Sequence, residues 1–392
     1  MLRSLFSGIS GLRSHQTMLD VTGNNIANVN TTGFKASQTQ FQDTLSQVLT
    51  NAGAPTAATG GTNPAQVGLG VKVSAISTNF QQGAAQTTNR STDVMISGDG
   101  FFAVKSGAQT FYTRNGSFDF DAQGRLVTSE GAFVQGWAAD AAGGIDTAGA
   151  LSNLTLPMTT LVGAQPTTNI KFGGNLPSDA AVGTALVRDV EVFDSLGNAG
   201  TVSLTFTRTA TGWGVSGSDG TNTVTGAEMQ FDASGALTAG GTITVGSRTV
   251  ELGTVTGYAA LTTVEAISKN GSQAGALQSF QINADGTIIG AFSNGTKQPV
   301  GRIAIATFAN PVGLQKAGGS MYETSVNSGD PAVGVAGAGG RGGLIGGALE
   351  MSNVDLSQEF TNLIIAQRGF QANSRVITTS DELLQELVNL KR

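Results

Sequence analysis

The sequence predicts a mainly β protein whose two ends form a separate α-helical layer. Apolar residues repeat with heptad spacing only near the two ends of the chain. Asn-Gly and Asp-Gly pairs divide the segment between those ends into short runs of alternating apolar and polar residues. Glycine accounts for 56 of the 392 residues, roughly twice the usual share of about 7%. Such a composition is typical of turn-rich β structure.

The first helix is predicted at the N-terminus. Its apolar seam has spacings of three and four residues and consists of Leu2, Leu5, Ile9, Leu12, Gln16 and Leu19. A single polar residue, Gln16, interrupts this heptad pattern.

A second, longer helix is predicted over Leu356 to Leu390. One row of its seam repeats strictly every seven residues: Leu356, Leu363, Phe370, Ile377 and Leu384. A second row lies three or four residues away: Phe360, Gln367, Ser374, Asp381 and Val388. No partner segment follows either helix, so we expect the two helices to pair as an antiparallel coiled coil or to pack on another copy. Two ordinary amphipathic helices on one globular core are the alternative.

The middle of the chain carries turn signals. Asn115-Gly116 separates two alternating runs and predicts a β-hairpin. Similar signals stand at Asp99-Gly100, Asp219-Gly220, Asn270-Gly271, Asp285-Gly286 and Asn294-Gly295. A phrase of the form Phe-Asp-Ala-x-Gly-x-Leu occurs at 120–126 and again at 231–237. It predicts β-turns rather than calcium loops, which need several carboxylates and a closing Glu.

Two stretches resemble linkers, the first without any charged residue and the second rich in glycine. They are Asn51 to Val67 and Gly334 to Gly347, at similar distances from the two ends. We expect them to be two strands of one connection between the helical layer and the β region.

Composition excludes several functions. The net charge of −6 and the absence of a basic run argue against nucleic-acid binding. No apolar run approaches the roughly 18 residues that span a bilayer. The chain has no cysteine and one histidine, His15, and its acidic residues form no recognisable acid/base pair. We therefore expect neither an enzyme nor a metal or cofactor site.

Sequence blocks at both ends resemble the flagellar axial proteins, the family of rod and hook subunits. The N-terminal block is NNIANVNTTGFK at 24–35, and the C-terminal blocks are SNVDL at 352–356 and AQRGFQANSRVITTSDELL at 366–384. SGDGFFAV at 97–104 and FYTRNGSFDFDAQGRLV at 111–127 resemble the β domain of this family. VFDSLGN at 192–198 and FVQGW at 133–137 favour hook over rod subunits.

The resemblance assigns roles to two sets of residues. Assembly through the helical seams would use Leu5, Ile9, Leu12, Leu19, Leu356, Phe360, Leu363, Phe370, Ile377 and Leu384. The family motif would form an irregular connector after the first helix, with Asn24, Asn25, Ile26, Asn28, Asn30, Gly33 and Phe34. Asn side chains suit such a segment because they bond backbone groups and tolerate left-handed conformations.

The resemblance also implies a domain plan. Residues 1–30 with 355–392 would form the inner coiled coil, and 31–69 with 346–354 the connector. Residues 70–145 with 277–345 would form an inner β domain, and 146–276 an outer β domain.

By this resemblance, the function is that of a hook subunit, which polymerises into a short curved tube that joins rod to filament and transmits torque. Expected partners are other copies of the chain, the distal rod protein, the hook cap, the hook–filament junction proteins and the flagellar type III export apparatus. The chain would be extracellular and exported without a cleaved signal peptide. A distal rod subunit and a secreted β-rich adhesin are the alternatives.

Overall fold

The computed structural model describes residues 2–55, 60–140, 143–157 and 161–389. Two helices, α1 (Leu2–Ala27) and α2 (Leu356–Asn389), stand at the ends of the chain and pack together. The regular elements between them in the sequence are almost all β-strands. The predicted fold class is therefore confirmed. Helix α2 has nearly the predicted bounds, whereas α1 continues past Asn24 and Asn25.

The segment after α1 forms a long β-hairpin. Its strands are β1 (Ser37–Asp43), β2 (Ser46–Thr50), β3 (Ala65–Gly68) and β4 (Val71–Thr78), and β5 (Ala85–Thr87) follows them. Strand β1 pairs with β4 and β2 with β3, so the four strands form one two-stranded antiparallel ribbon. The linker predicted at Asn51 to Val67 is wrong, because the described part of it closes this hairpin. Residues 56–59 lie outside the described residues.

The next strands begin the inner β unit. They are β6 (Val94–Ser97), β7 (Phe101–Ser106), β8 (Gln109–Thr113), β9 (Phe118–Phe120), β10 (Leu126–Thr128), β11 (Phe133–Ala138) and β12 (Ser152–Asn153).

The outer β unit follows in the chain. Its strands are β13 (Asn169–Asn175), β14 (Ala185–Phe193), β15 (Ala199–Arg208), β16 (Trp213–Ser218), β17 (Thr223–Thr225), β18 (Gln230–Phe231), β19 (Leu237–Ala239), β20 (Thr242–Val245), β21 (Arg248–Thr256) and β22 (Glu265–Lys269). Two sheets, ordered β20-β21-β13-β22 and β14-β15-β16-β17, enclose a core that includes Phe172, Phe206 and Trp213. Strand β13 runs parallel to β21.

The chain then returns to complete the inner unit. The returning strands are β23 (Leu277–Ile282), β24 (Thr287–Phe292), β25 (Lys297–Ile303), β26 (Ile305–Thr307), β27 (Gln315–Gly318), β28 (Met321–Glu323), β29 (Ala332–Gly334), β30 (Gly343–Gly346) and β31 (Ala348–Glu350). They interleave with the earlier strands in the order β23-β24-β25-β11-β7-β8-β28-β27. The inner core, which includes Phe102, Phe118 and Ile303, therefore contains residues from both passages.

Two predicted boundaries need correction. Strand β4 pairs with β1 of the connector, although residue 70 was expected to begin the inner domain. Leu154 and Leu156 lie in the inner core, although residue 146 was expected to begin the outer domain. The predicted linker at Gly334 to Gly347 is also wrong. Leu344 is buried there and β30 pairs with β6, so this stretch belongs to the inner unit.

The turn signals were only partly reliable. Asp219-Gly220, Asp285-Gly286 and Asn294-Gly295 each connect paired strands, as predicted. Asn115-Gly116 does not, because β8 pairs with β7 and β28 while β9 pairs with β10. A β-carbon on Gly116 would lie 1.6 Å from the Val94 carbonyl oxygen. Glycine is needed here for close backbone approach rather than for a hairpin turn.

The repeated Asp phrases form β-turns, as predicted. Gly124 N donates to Asp121 O and Gly235 N donates to Asp232 O. The Asp232 carboxylate also accepts from the hydroxyl and backbone of Ser234 and from the backbone of Ala236. These hydrogen bonds lower the pKa of Asp232, because they stabilise its ionised form. The Asp232 carboxylate therefore accepts its hydrogen bonds from groups of its own turn.

A buried ion group joins three distant parts of the chain. Lys35 Nζ lies 2.6 Å from Glu350 Oε1, and Arg114 Nη1 lies 3.4 Å from Glu350 Oε2. All three residues are buried. Lys35 also donates to Gln81 O, and Gly83 N donates to Glu350 Oε1. The group ties the connector to the inner unit and to the strand before α2.

Burial lowers the pKa of Lys35 and of Arg114, and the Glu350 carboxylate opposes that shift in both. Glu350 is thus the counter-ion that both cations need. Removing one partner of a buried ion pair is far more costly than removing an exposed one.

We predict that Glu350→Gln lowers the free energy of unfolding by about 3–5 kcal/mol, because Lys35 and Arg114 become buried cations without a counter-ion. Urea denaturation of the purified chain measures this. Glu191→Gln is the control. Its partnership with Lys269 is exposed, so its loss is expected to stay below about 1 kcal/mol. Equal losses in the two variants would contradict the prediction.

We also predict that the outer core unfolds separately from the inner core, since the two share no buried residue. Trp213→Ala is expected to lower the stability of the outer unit by about 3–5 kcal/mol and to leave the inner transition in place. Calorimetry resolves the two transitions. Leu196→Ala, at a side chain that is 81% exposed, is the control. A common downward shift of every transition would show a single cooperative unit instead.

Candidate functional site

The terminal helices pair in antiparallel orientation. Gly8 of α1 lies against Ile377 and Asn373, His15 lies on Gly369, and Asn25 Nδ2 donates to Glu359 Oε1 at 3.0 Å. The start of one helix therefore meets the end of the other. This arrangement confirms the predicted pairing.

Small residues bring the two helices close together. A β-carbon on Gly11 would lie 2.7 Å from Asn373 Oδ1, and one on Gly369 would lie 2.5 Å from the His15 ring. The buried positions of α1 are Gly8, Gly11, Ser14, Thr22 and Asn25. The predicted seam residues Leu5, Ile9, Leu12 and Leu19 are only half-buried. The tightest contact thus runs along small and polar residues beside the predicted apolar row.

On α2, the first predicted row faces the partner from Leu363 onward, and the second predicted row does not. Leu363, Phe370, Ile377 and Leu384 are partly buried, whereas Leu356 and Phe360 are 40% and 51% exposed. The second row that faces the partner is one residue earlier than predicted: Ala366 and Ser380 are buried, and Glu359 and Asn373 are partly buried. Small or polar side chains fit this row because the helices approach closely there.

Six large apolar residues of α2 form two exposed faces. Leu356, Phe360 and Ile364 recur at four-residue spacing on one face. Ile365, Val376 and Leu383 lie on the other. Each of these six side chains is at least 40% exposed. The helix pair therefore leaves apolar surface on both sides of its own contact.

Asn25 joins both helices to the connector. It is buried, donates to Ser37 O at 2.8 Å and accepts from Ser37 N at 3.0 Å. With its bond to Glu359, this side chain links α1, β1 and α2. Asn25 was predicted to lie after the helix. It lies within the last turns of α1 instead, and it makes these hydrogen bonds from the surface of the helix.

The other motif residues shape the chain as it leaves α1. Asn28 Nδ2 donates to Asn24 O, and Thr31 Oγ1 donates to Asn28 Oδ1, so local side-chain bonds stabilise the exit. Asn30 is exposed and Ile26 is half-buried.

Gly33 and Phe34 fix the end of the connector. Gly33 has φ +67°, and a β-carbon on it would lie 2.6 Å from Asn115 N. Its amide donates to Glu350 O. Lys316 Nζ lies 5.0 Å from the centre of the half-buried Phe34 ring, a cation–π contact. Glycine is the residue that this backbone conformation and this close approach allow.

Sequence reasoning missed several residues that hold this region together. Lys35, Glu350 and Asn353 are central to it: Asn353 accepts from Ala36 N and donates to Asn79 O and Gln81 O. Lys35 and Asn353 stand inside the quoted family-like blocks, which was the available signal. The spacing of residues in the sequence gave no signal for the ion pair, because 315 positions separate Lys35 from Glu350.

Two kinds of site are absent from the described part of the chain. Neither described helix is long and apolar enough to cross a membrane. Within residues 2–55, 60–140, 143–157 and 161–389, no group of three or more His, Asp or Glu side chains is placed to hold a metal ion. What the described residues offer is an exposed apolar helical surface beside a hydrogen-bonded connector.

Comparison with known protein families gives four matches along the chain. Residues 5–35 match the flagella basal body rod protein family, and residues 95–174 match the D1 domain of the flagellar hook proteins FlgE/F/G. Residues 167–310 match the flagellar basal body protein FlaE D2 domain. Residues 345–390 match the flagellar basal body rod FlgEFG C-terminal family.

Individual relatives span the whole chain. The flagellar hook protein FlgE of Borreliella burgdorferi is 40% identical, with all of both chains covered. The flagellar basal-body rod protein FlgG of Bacillus subtilis is 36% identical over the full length of both. The crystal structure of Helicobacter pylori FlgE2 has a TM-score of 0.52 at 15% identity, covering 66% of this chain and 98% of that one, and it shows a shared fold. By these full-length similarities, the chain belongs to the flagellar hook protein FlgE family.

Proposed function

We propose that this chain is a structural subunit of the bacterial flagellar hook, which polymerises into a short curved tube that joins rod to filament and transmits torque. The observation that carries the proposal is the pair of exposed apolar faces on α2, one of them Leu356, Phe360 and Ile364. A helix in a folded monomer normally buries such residues. Contact with neighbouring copies would bury them.

The long hairpin supports the same proposal. The stretch from Thr44 to Val71 contains no charged residue. All of β2 and β3 is exposed, including Val48 and Leu49, and Leu45 just before β2 is exposed as well. A two-stranded ribbon without further packing is marginally stable in water. An apolar, uncharged ribbon of this kind is suited to burial between subunits.

A rod subunit is the second candidate, because the rod protein FlgG of Bacillus subtilis covers the full chain at 36% identity. The outer unit favours the hook. Residues 167–310, which include all of its strands, match the D2 domain family, and the 40% identical relative is a hook protein. A secreted adhesin gives no reason for paired terminal helices.

The proposal includes a place and partners. The tube would contact the distal rod protein, the hook cap and the hook–filament junction proteins, and its subunits would pass through the flagellar type III export apparatus without a cleaved signal. It would stand outside the cell. The work of such a subunit is mechanical, so we assign it no catalytic or cofactor-binding role.

Within the subunit, we propose four layers. The helix pair lies innermost, followed by the connector, the inner β unit and the outer unit. Leu363, Phe370 and Ile377 would hold the helix pair, whereas Leu356 and Phe360 would contact neighbouring copies. The connector residues Ile26 and Phe34 are half-buried in the single chain, and further burial against neighbours would order them.

We predict that Phe360→Asp prevents polymerisation, because a charge would be buried without a partner at the contact between copies. The helix pair itself should persist, since Phe360 is 51% exposed in the single chain. Sedimentation measures polymer and circular dichroism measures helix content. Thr361→Asp is the matched control, an adjacent exposed position outside both apolar faces. Normal tubes from Phe360→Asp would contradict the assignment of this face.

We also predict that the outer unit sets curvature while the inner layers hold the tube. In a bent tube, spacing between copies varies most at the largest radius. Val162 N donates to Gly275 O, so the two crossings into the outer unit lie side by side. Deleting 164–276 and bridging the gap with a short Gly-Ser linker should give tubes without regular curvature. Electron microscopy shows the outcome, and normally curved tubes would refute the prediction.

A further inference from the structure

We propose that His15 and Asn373 are positioning residues that fix the rotation of the free end of α2 against α1, each side chain seated on a glycine of the opposite helix. His15 of α1 lies on Gly369 of α2. In the reverse direction, Asn373 of α2 lies on Gly11 of α1. We call these two contacts the helix interlock. The inference concerns the single chain and does not depend on the proposed function.

Each contact of the interlock needs its glycine. A β-carbon at position 369 would lie 2.5 Å from both Cε1 and Nε2 of the His15 ring. One at position 11 would lie 2.7 Å from Asn373 Oδ1 and 2.9 Å from its Cγ. Distances this short would force the side chain or the helix to move. The large side chain of each helix therefore occupies space that a glycine leaves open on the other.

The two contacts support each other. Gly11 and His15 are four residues apart on α1, and each pair of the interlock therefore lies on one face of its helix. On α2, Asn373 Nδ2 donates to the Gly369 carbonyl oxygen at 2.8 Å, which holds the amide in place. A rotation of either helix would press both large side chains against their neighbours at the same time.

The interlock lies beyond the end of α2 that the connector fixes. Glu359, near the start of α2, accepts a hydrogen bond from Asn25. The interlock follows Glu359 by 10–14 residues, roughly 15–21 Å along the helix axis. There α2 packs on α1, and α1 rests on the long β-hairpin, where Ser10 Oγ accepts from Val71 N at 3.2 Å. The free end of α2 thus takes its rotation from its contacts with α1.

The apolar row of α2 does not define that rotation by itself. Leu363, Phe370 and Ile377 follow one line along the helix. Hydrophobic contact is non-directional, so this row would stay covered through a moderate rotation of α2. The adjoining row includes Ala366 and Ser380, whose side chains are too small to resist such a rotation. Bulky side chains in fitted spaces supply the missing constraint.

His15 occupies this position at a cost. Its Nδ1 is buried and has no hydrogen-bond partner within the described part of the chain. Its ring centre lies 5.8 Å from that of Phe41 on β1. A buried polar atom without a partner lowers stability, and a polar residue in a helical seam is known to fix one packing arrangement at such a cost. His15 therefore contributes shape at this contact rather than a hydrogen bond.

The rotation of α2 decides which side chains the helix exposes. Beyond the interlock, Ser380 is buried, whereas Val376 and Leu383 are 40% and 52% exposed. A rotated α2 would cover part of this apolar face and expose the polar row instead. Under the proposed function, the interlock therefore keeps Val376 and Leu383 available to neighbouring copies.

The test measures this rotation by thiol labelling, since the chain contains no cysteine of its own. Ser380→Cys places a thiol on the buried row, and Leu383→Cys places one on the exposed face. In the full chain we expect Leu383→Cys to react at least about tenfold faster. Gly369→Ala is expected to reduce the difference to less than about threefold, because the new β-carbon displaces the His15 ring. Adding His15→Ala to that variant should restore the difference.

Gly23→Ala is the matched control, because a β-carbon at that position of α1 would meet nothing within 4 Å. Both glycine substitutions raise intrinsic helix propensity, so circular dichroism is expected to show full helix content in each. Gly23→Ala should leave the labelling difference unchanged. A difference that survives Gly369→Ala, or that is lost and does not return with His15→Ala, would overturn the inference. Equal reactivity of the two cysteines in the unmodified chain would overturn it as well.

The second contact gives an independent measurement. Gly11→Ala should reduce the labelling difference in the same way, and adding Asn373→Ala should restore it, whereas adding His15→Ala should not. Rescue that is specific to the facing residue measures coupling within one contact, which a general loss of helix stability does not produce. Rescue of Gly11→Ala by both substitutions, or by neither, would overturn the inference. Labelling is done on single chains, so a chain that labels as expected but does not polymerise would remove only the proposed function.

Discussion

The buried ion group of Lys35, Glu350 and Arg114 is the interaction on which the arrangement of the layers depends. It brings together the end of the connector, the inner β unit and the segment before α2. Each charge tolerates burial only while its partners are present. The three segments therefore have one acceptable arrangement, and the direction in which the helix pair leaves the β units follows from it. Asn25 and Asn353 extend the same constraint with hydrogen bonds to β1 and the adjoining connector.

The chain uses opposite packing strategies at its two ends. At the helix pair, Gly8, Gly11 and Gly369 allow close approach, and several larger apolar residues, such as Phe360 and Ile364, are left outside the contact. In the outer unit, large residues such as Trp213 and Phe206 fill a closed core. A closed core suits a unit that stands alone. Exposed apolar helix surface suits a unit that is completed by neighbours.

Sequence periodicity predicted the helices well because heptad spacing follows directly from helix geometry. It did not identify which of two adjacent rows faces the partner, so Ala366 and Ser380 were missed. Small residues carry no hydrophobic signal even where they allow the closest contact. The Asn115-Gly116 signal failed because glycine also serves close backbone approach, which local sequence cannot distinguish from a turn. The ion group was invisible to spacing, since its members are brought together only by tertiary structure.

The chain enters and leaves the outer unit at adjacent points, where Val162 and Gly275 are paired. Its strands interrupt the inner sheet in sequence but not in space, since β11 still pairs directly with β25. In evolutionary terms, such a unit behaves as an inserted cassette. It can be lengthened, exchanged or lost without changing the register of the surrounding strands. A lineage can thereby alter the exterior of an assembly while the contacts near its axis are inherited unchanged.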